Sequence, residues 1–357
     1  MVNPRLLIAS AFVMTSVASG GEMAVPAGAA ESQSWLRAIV AKENEPREFG
    51  PSKWLDEGAA YTTIEDSPSI KDAKDIVRYT TASGTRSVMI PAAQLTPADA
   101  PKPLAIDDYE WSKDQQQLLL FTSAQKVWRR KTRGDYWVLD RASGKLKKLG
   151  GQAQPATLMF ASFSPDGQRV AWLRRDFGAT QMATNLYVEN WRTGEITQIT
   201  HDAEARRADG TGKTIINGTA DWVNEEEFDL RKAYEWSPDG NHIAYWQFDA
   251  TAVNDSFLAN NTDTVHPAAT AIPYPKTGTG NSSVRVGVVS SAGGATRWLA
   301  LSDAPASHYI PRLAWSPDNK ELFIHQFDRA QQNLELLAVE VASGAARTVQ
   351  REHSSAW

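Results

Sequence analysis

Cysteine is absent from the 357-residue sequence, which excludes disulfide bonds, thiolate zinc sites and a cysteine nucleophile. A Gly-x-Ser-x-Gly elbow, a phosphate-binding P-loop and a His-Glu-x-x-His helix are absent as well. The six histidines are scattered without a metal-ligand spacing. From these absences we expect no catalytic residue, no metal ion and no other cofactor.

Neither sign of charge is in large excess. The sequence carries 37 Lys and Arg against 42 Asp and Glu, a net charge of −5, so no basic field favours nucleic acid as a partner. Hydrophobic residues make up 42% of the chain, an ordinary proportion for a globular protein. Thirteen tryptophans indicate an aromatic position that recurs along the sequence.

No segment reaches the roughly 18 unbroken apolar residues that a membrane-spanning helix requires. The shorter apolar stretch Leu6–Met14 follows Arg5 and precedes small residues. Ala27-Gly28-Ala29 matches a signal-peptidase site, with Ser16-Val17-Ala18 as an alternative. We therefore predict a secretory signal peptide over residues 1–29, rather than a core helix, and a secreted or periplasmic mature chain without a membrane span.

A pattern of an aromatic residue, Ser, a third residue and Asp recurs four times before a strand-like apolar run, and the third residue is Pro in three of the four copies. The four segments are Trp111-Ser112-Lys113-Asp114, Phe163-Ser164-Pro165-Asp166, Trp236-Ser237-Pro238-Asp239 and Trp315-Ser316-Pro317-Asp318. Pro and Asp suit the central positions of a β-turn, and a following Gly or Asn suits its exit. The pattern therefore predicts strand, tight turn, strand, with the aromatic residue facing a buried layer.

A second pattern joins an apolar strand to a glycine turn. It occurs at Ser83-Gly84, Ser143-Gly144, Thr193-Gly194, Gly293-Gly294 and Ser343-Gly344. The turns recur at roughly 50–60 residues, with one interval near 100, which is typical of β-propeller blades with long loops. We predict an all-β propeller of four-stranded antiparallel blades, about five in number, the first beginning near Trp54 and Tyr61. Trp35–Val40 is the best helical stretch.

Residues 201–228 and 250–283 interrupt this period, and long loops in a compact domain are usually functional. The first contains Asp221-Trp222-Val223-Asn224-Glu225-Glu226-Glu227-Phe228. Three adjacent glutamates are commonly a solvated charge run. Flanked by Trp222 and Phe228, they would also attract a cation, and a peptide α-ammonium, with three donors, matches two carboxylates.

A basic cluster precedes this acidic run, at Trp128-Arg129-Arg130-Lys131-Thr132-Arg133. It could be a basic surface loop, or supply an arginine whose planar fork binds a carbonyl or carboxylate oxygen. The acidic total charge disfavours a third possibility, a phosphate or nucleic-acid patch.

With these residues the sequence resembles the dipeptidyl peptidase IV family of exported serine exopeptidases. The similarity lies in Trp128-Arg129, Asn217-Gly218, Asp221 to Glu227, Trp236 to Gly240 and Ile272-Pro273-Tyr274-Pro275-Lys276. The resemblance covers nearly everything after the signal peptide. It implies an eight-bladed propeller that caps an α/β-hydrolase domain, and removal of Xaa-Pro or Xaa-Ala dipeptides from free peptide N-termini.

By position, the resemblance makes Glu226 and Glu227 the pair that binds the substrate α-ammonium, named here the ammonium clamp. It makes Arg129 the contact of a substrate carbonyl, and it places an arm that supports homodimers at residues 250–275. One departure is Asn224, where the family usually has tyrosine.

The second departure is larger, because the serine, aspartate and histidine of the hydrolase domain and about three blades are missing from this sequence. We therefore expect residues 30–357 to be a partial propeller that is inactive alone and binds peptides through a free N-terminus. A stand-alone periplasmic propeller that binds peptides or proteins without catalysis is the alternative. An unrelated enzyme acting from the propeller funnel is a third, which the lack of a nucleophile or metal cluster disfavours.

Overall fold

The computed structural model describes residues 29–41, 49–127, 129–175, 183–205, 211–262, 265–301 and 307–356. The chain divides into two units, Met1–Phe49 and Gly50–Trp357. The first contains α1 (Ala29–Val40), which includes the predicted helical stretch. The predicted signal peptide, apart from Ala29, lies outside the described residues and stays a prediction. None of the described helices has the length and apolar character needed to cross a membrane.

In the second unit, the described strands are antiparallel and group into five blades, of which the second and third are joined into one eight-stranded sheet. This arrangement confirms the predicted propeller architecture. Blade 1 contains β1 (Lys53–Leu55), β2 (Ala60–Asp66), β3 (Lys74–Thr80) and β4 (Arg86–Ile90), with short 3₁₀ turns at Asp56–Gly58 and Ala92–Leu95. Blade 2 contains β5 (Ile106–Trp111), β6 (Gln117–Val127), β7 (Arg130–Asp140) and β8 (Leu146–Lys148). Blade 3 contains β9 (Leu158–Phe163), β10 (Arg169–Arg174), β11 (Asn185–Asn190) and β12 (Glu195–Gln198).

Blade 4 is the irregular one. Its segment runs through β13 (Ile215–Asn217), α2 (Trp222–Phe228), β14 (Tyr234–Trp236), β15 (His242–Asp249), the separate hairpin of β16 (Asp255–Asn260) and β17 (Ala268–Pro273), then β18 (Ser283–Ser290) and β19 (Arg297–Trp298). Blade 5 contains β20 (His308–Trp315), β21 (Glu321–Asp328), β22 (Asn333–Glu340) and β23 (Ala346–His353). The two segments predicted as long loops are therefore partly regular, since one contains β13 and α2 and the other contains a two-stranded hairpin.

Hydrophobic clusters lie between consecutive blades, where the facing sides of neighbouring blades pack together. Blades 1 and 2 share a cluster that includes Ile76 and Leu118, and blades 4 and 5 share one that includes Trp246 and Ile324. Trp172 of blade 3 is completely buried against blade 2. The core is thus a series of layers between blades rather than one central mass.

The aromatic residue of the repeated pattern connects its blade to the preceding one. In three of the four copies it is a tryptophan whose indole N–H donates across the interface. The bonds are Trp111 Nε1 to Thr62 Oγ1 at 2.9 Å, Trp236 Nε1 to the Ser162 carbonyl at 3.4 Å and Trp315 Nε1 to the Glu235 carbonyl at 3.2 Å. The recurrence of tryptophan therefore has a polar cause as well as an apolar one.

The Ser and Asp of each copy close the turn that follows the aromatic residue. The serine hydroxyl donates to the aspartate at 2.6 Å in Ser112–Asp114, 2.5 Å in Ser164–Asp166, 2.6 Å in Ser237–Asp239 and 2.7 Å in Ser316–Asp318. The next residue has a positive φ in every copy, 68° at Gly167 and 64° at Asn319, a conformation that glycine and asparagine tolerate best. The predicted β-turn is confirmed.

The first strands of several blades face one common space. The Glu110 carboxyl on β5 is influenced by Lys232 and Glu235 of blade 4 and by Lys53 of blade 1. Desolvation by the surrounding wall raises the pKa of Glu110, although the side chain remains accessible to water. We interpret this space as the central channel of the propeller.

Candidate functional site

The acidic run folds as the short helix α2, which interrupts the first strand of blade 4. β13 pairs with one end of β15 and β14 with the other, so the residues between them leave the sheet. Asp221 caps the helix start, since its carboxylate accepts from the Asn224 backbone N–H at 3.0 Å and from the Asn224 side-chain amide at 2.8 Å. Asp229 ends the helix with a φ of 55°.

Aromatic contacts hold both ends of α2. Trp222 lies against Tyr274, with ring centroids 4.4 Å apart. This contact joins the acidic run to the Pro-Tyr-Pro-Lys segment, the two motifs that carry the family resemblance. At the other end, Phe228 packs on Tyr309 of blade 5 at 5.2 Å, and Arg312 donates to the Phe228 carbonyl at 2.9 Å. The helix therefore bridges blades 4 and 5 and has little freedom to turn about its axis.

The three glutamates have different surroundings as a result. Glu225 is buried at 9% exposure and forms an ion pair with Arg231, whose Nε lies 3.6 Å from Oε1. Desolvation raises the pKa of Glu225, Arg231 lowers it, and the neighbouring carboxylates of Glu226 and Asp221 raise it further. Arg231 also contacts Asp229. Glu225 therefore faces the protein rather than the open side of the helix.

Glu226 meets the predicted arginine. Arg129 Nε lies 3.3 Å from Glu226 Oε2, and the Glu226 side chain is 15% exposed whereas Arg129 is 80% exposed. Arg129 sits in the turn between β6 and β7, so blade 2 reaches the helix of blade 4. Its neighbour Trp128 lies outside the described residues.

Glu227 is exposed, and it makes no hydrogen bond or ion pair with any residue the structure describes. Glu226 and Glu227 with Arg129 amount to two carboxylates against one guanidinium, which leaves one net negative charge. This balance is complementary to a single cation, and the tight, partly desolvated geometry around Glu226 favours one with several N–H donors. Among the described residues, no group of three His, Asp or Glu side chains is arranged to hold a metal ion.

Reasoning from the sequence missed two parts of this site. Arg231 was not singled out, because its role depends on burial of Glu225, which one-dimensional spacing does not reveal. The helix itself was not predicted, although Asp221 followed by acidic residues in a first turn is a helix-start signal that could have revealed it. Asn224, the departure from the family pattern, is buried and serves the helix cap through its amide.

Comparisons with known proteins agree with the fold and the motifs. Residues 112–357 match the family model described as "Dipeptidyl peptidase IV (DPP IV) N-terminal region". The probable dipeptidyl-aminopeptidase B of Chaetomium globosum is 27% identical over 67% of this chain and 25% of its own length. Dipeptidyl peptidase 4 of Trichophyton rubrum is 27% identical over 70% of this chain and 31% of its own length. The chain thus spans about a quarter to a third of these curated relatives.

Solved structures give the same result for the fold. The crystal structure of Porphyromonas gingivalis dipeptidyl peptidase 4 superposes with a TM-score of 0.75 at 25% identity, over 89% of this chain and 42% of that one. A dipeptidyl aminopeptidase IV structure from Bacteroides ovatus has a TM-score of 0.60 at 18% identity and supports the fold alone. The family model matches more than half of this chain. The chain therefore belongs to the dipeptidyl peptidase IV family and corresponds to the N-terminal propeller region of that family.

Proposed function

We propose that this propeller region binds the free N-terminus of a peptide, with the Glu226 and Glu227 carboxylates holding the α-ammonium. The observation that carries the proposal is the approach of Arg129 to Glu226 at 3.3 Å, from two blades far apart in sequence. An ammonium that enters beside Glu226 exchanges hydration for charge-assisted hydrogen bonds, each of which contributes about 1.5–3 kcal/mol. Arg129, with most of its guanidinium exposed, is then free to donate to a carbonyl oxygen of the same peptide.

The reaction that this binding serves is removal of Xaa-Pro or Xaa-Ala dipeptides by a serine-type dipeptidyl peptidase. The names of the relatives support this assignment, since each is a dipeptidyl peptidase or dipeptidyl-aminopeptidase. An ammonium site in a fixed position sets the distance between the peptide N-terminus and a nucleophile. Positioning alone then selects the second peptide bond. In this proposal the chain contributes the ammonium site that fixes the position of the peptide N-terminus.

A thermal-melt titration tests the proposal. We expect an Ile-Pro peptide with a free amine to raise the melting temperature of the chain, because a ligand that binds the folded state stabilises it. The N-acetylated peptide and the double variant Glu226→Gln/Glu227→Gln are expected to give no shift. Glu195→Gln, at an exposed glutamate of β12, is the matched control. Equal shifts with the free and acetylated peptides would contradict the proposal.

We also propose that the hairpin of β16 and β17 is a homodimer arm. It forms a sheet of its own, and its surface carries Phe257 at 70%, Leu258 at 47% and Val265 at 95% exposure. Exposed apolar side chains on a hairpin that is separate from the blade sheets favour a protein partner. Phe257→Ser is expected to shift the chain toward monomer in light scattering coupled to gel filtration. An unchanged mass would contradict this assignment. Export to the periplasm, based on the predicted signal peptide, completes the proposal.

A further inference from the structure

A second polar cavity lies in blade 4, where the connection from blade 3 passes the ends of β13, β15 and β18. Its volume is about 560 Å³, large enough for a small organic ligand. No clamp residue lines it. Its wall includes Asp202 from the connection, Gln247 from β15 and Arg285 from β18, together with the charged residues Glu204, Lys213 and Asp249.

The floor of the cavity is a row of amides that fixes two opposite charges. Asn217 Nδ2 donates to Asp202 Oδ1 at 2.9 Å, and Gln247 Nε2 donates to Asp202 Oδ2 at 2.7 Å. The other end of the same Gln247 amide accepts from Arg285, through Nε at 2.8 Å and an Nη at 2.5 Å. Asn217 and Gln247 are almost completely buried, at 0% and 3% exposure. Each charged side chain is therefore held in place by a neutral group.

Neither charge has an ionic partner. Within the described part of the chain, Asp202 and Arg285 form no ion pair with each other or with any other residue, and both remain exposed to solvent. A carboxylate and a guanidinium that are each held by neutral amides, and are both accessible from one cavity, are suited to a ligand that carries both signs of charge.

The Arg285 guanidinium is also oriented to bind a planar anion. Its guanidinium lies 3.5 Å from the centroid of the Trp298 ring, which together with the Gln247 bonds presets the orientation of the fork. The free edge of such a fork matches a carboxylate in bidentate geometry. Asp202 offers the complementary acceptor for an ammonium.

The separation of the two charges selects the length of the ligand. Because Asp202 and Arg285 bond to opposite ends of one amide, their charged atoms lie within about 7.5 Å of each other. The amino nitrogen and terminal carboxyl carbon of an extended dipeptide are about 6 Å apart, whereas those of one amino acid are only about 2.5 Å apart. At the upper end of that range, a dipeptide that lies alongside the Gln247 amide places one charge opposite each group, whereas a single amino acid in the same position is too short to face both.

We propose that this cavity binds free dipeptides as zwitterions, with the ammonium at Asp202 and the carboxylate at Arg285. The inference does not depend on the ammonium clamp, since the residues are different and both ends of the ligand are recognised. It adds a site that retains short peptides with free termini, which include the product class of the proposed reaction.

Isothermal titration calorimetry with Ala-Ala tests this site, performed on the full chain carrying Glu226→Gln/Glu227→Gln so that the clamp does not contribute. Three matched ligands are compared with Ala-Ala. Nα-acetyl-Ala-Ala lacks the ammonium group, Ala-Ala amide lacks the carboxylate, and alanine keeps both charges but is shorter. We expect Ala-Ala to bind and each of the other three to bind at least tenfold more weakly. This series decides the question without any change to the cavity.

Two cavity variants test the residues. Asp202→Asn and Arg285→Gln are each expected to weaken Ala-Ala binding at least tenfold, while Arg347→Gln, at an exposed arginine of blade 5, leaves it unchanged. Absence of Ala-Ala binding, indifference to blocking either terminus, equal affinity for alanine, or full binding by both variants would each overturn the proposal. Failure of the ammonium clamp would leave these results unaffected, so the two proposals are tested separately.

Discussion

Arg231 should control both the stability of α2 and its dependence on pH. In Arg231→Met, the Glu225 carboxylate, whose side chain is only 11% exposed, loses its cation while Glu226 and Asp221 remain nearby. Removing one partner of a buried pair costs about 3–5 kcal/mol, and the 3.6 Å separation places this pair near the lower end, at about 3 kcal/mol. The loss is measured at neutral pH by urea denaturation followed by tryptophan fluorescence.

The pH dependence of that loss has a definite sign. Burial already raises the pKa of Glu225 above its ordinary 4.5, and Arg231 opposes the rise, so the variant raises this pKa further. A carboxyl group whose pKa is higher in the folded state than in the unfolded state makes its full contribution to stability below the unfolded-state pKa. That contribution is lost as the pH rises through the folded-state pKa. The cost of Arg231→Met should therefore be small below about pH 4.5 and complete at neutral pH.

Two matched variants make this test sharp. Glu225→Gln/Arg231→Met should recover most of the loss, because no buried charge is left alone. Lys232→Met removes the adjacent cation, whose pair with Glu235 is 32% and 44% exposed, and should cost less than about 1 kcal/mol. An Arg231 variant that costs no more than the Lys232 variant, or a loss independent of pH, would refute the reasoning.

The helix cap and the repeated turn give further predictions. Asp221→Ala should cost about 1–2 kcal/mol, and Asp221→Asn less because it keeps the acceptor; equal losses in urea denaturation would contradict the cap. Ser112→Ala should cost about 1–3 kcal/mol, since the buried hydroxyl accepts from the Gln117 N–H at 2.9 Å, while exposed Ser69→Ala costs under about 0.5 kcal/mol. The Ser112 hydroxyl holds the pKa of Asp114 below its ordinary 3.8, so this turn contributes stability above that pH that is lost as the pH falls through the folded pKa. Ser112→Ala should therefore move acid unfolding, followed by fluorescence, to higher pH, and an unchanged acid midpoint would count against this account.

The propeller could be predicted from the sequence because its information is local. Each turn is specified by a few consecutive residues such as Ser164 to Gly167, and each is repeated, so one correct interpretation applies to several blades. Trp111 and Trp236 were recognised as recurring positions for the same reason. Their hydrogen bonds to the preceding blade could not be predicted, because the acceptors lie on other strands.

The candidate site could be predicted only in part. Family resemblance identified Glu226, Glu227 and Arg129, and the contact between Arg129 and Glu226 agrees with a shared site. The different environments of the three adjacent glutamates depend on Arg231 and on the aromatic contacts that fix the rotation of α2. Such tertiary contacts leave no periodic signal in the sequence.

The most direct test of the ammonium clamp compares peptide affinities by calorimetry. An Ile-Pro peptide with a free amine should bind the chain at least about 100-fold more tightly than its N-acetylated form, because two charge-assisted hydrogen bonds contribute about 3 kcal/mol. In Glu226→Gln/Glu227→Gln this ratio should fall to nearly one, while Glu195→Gln preserves it. A ratio that persists in the double variant would show that the α-ammonium is bound elsewhere and would contradict the proposed function.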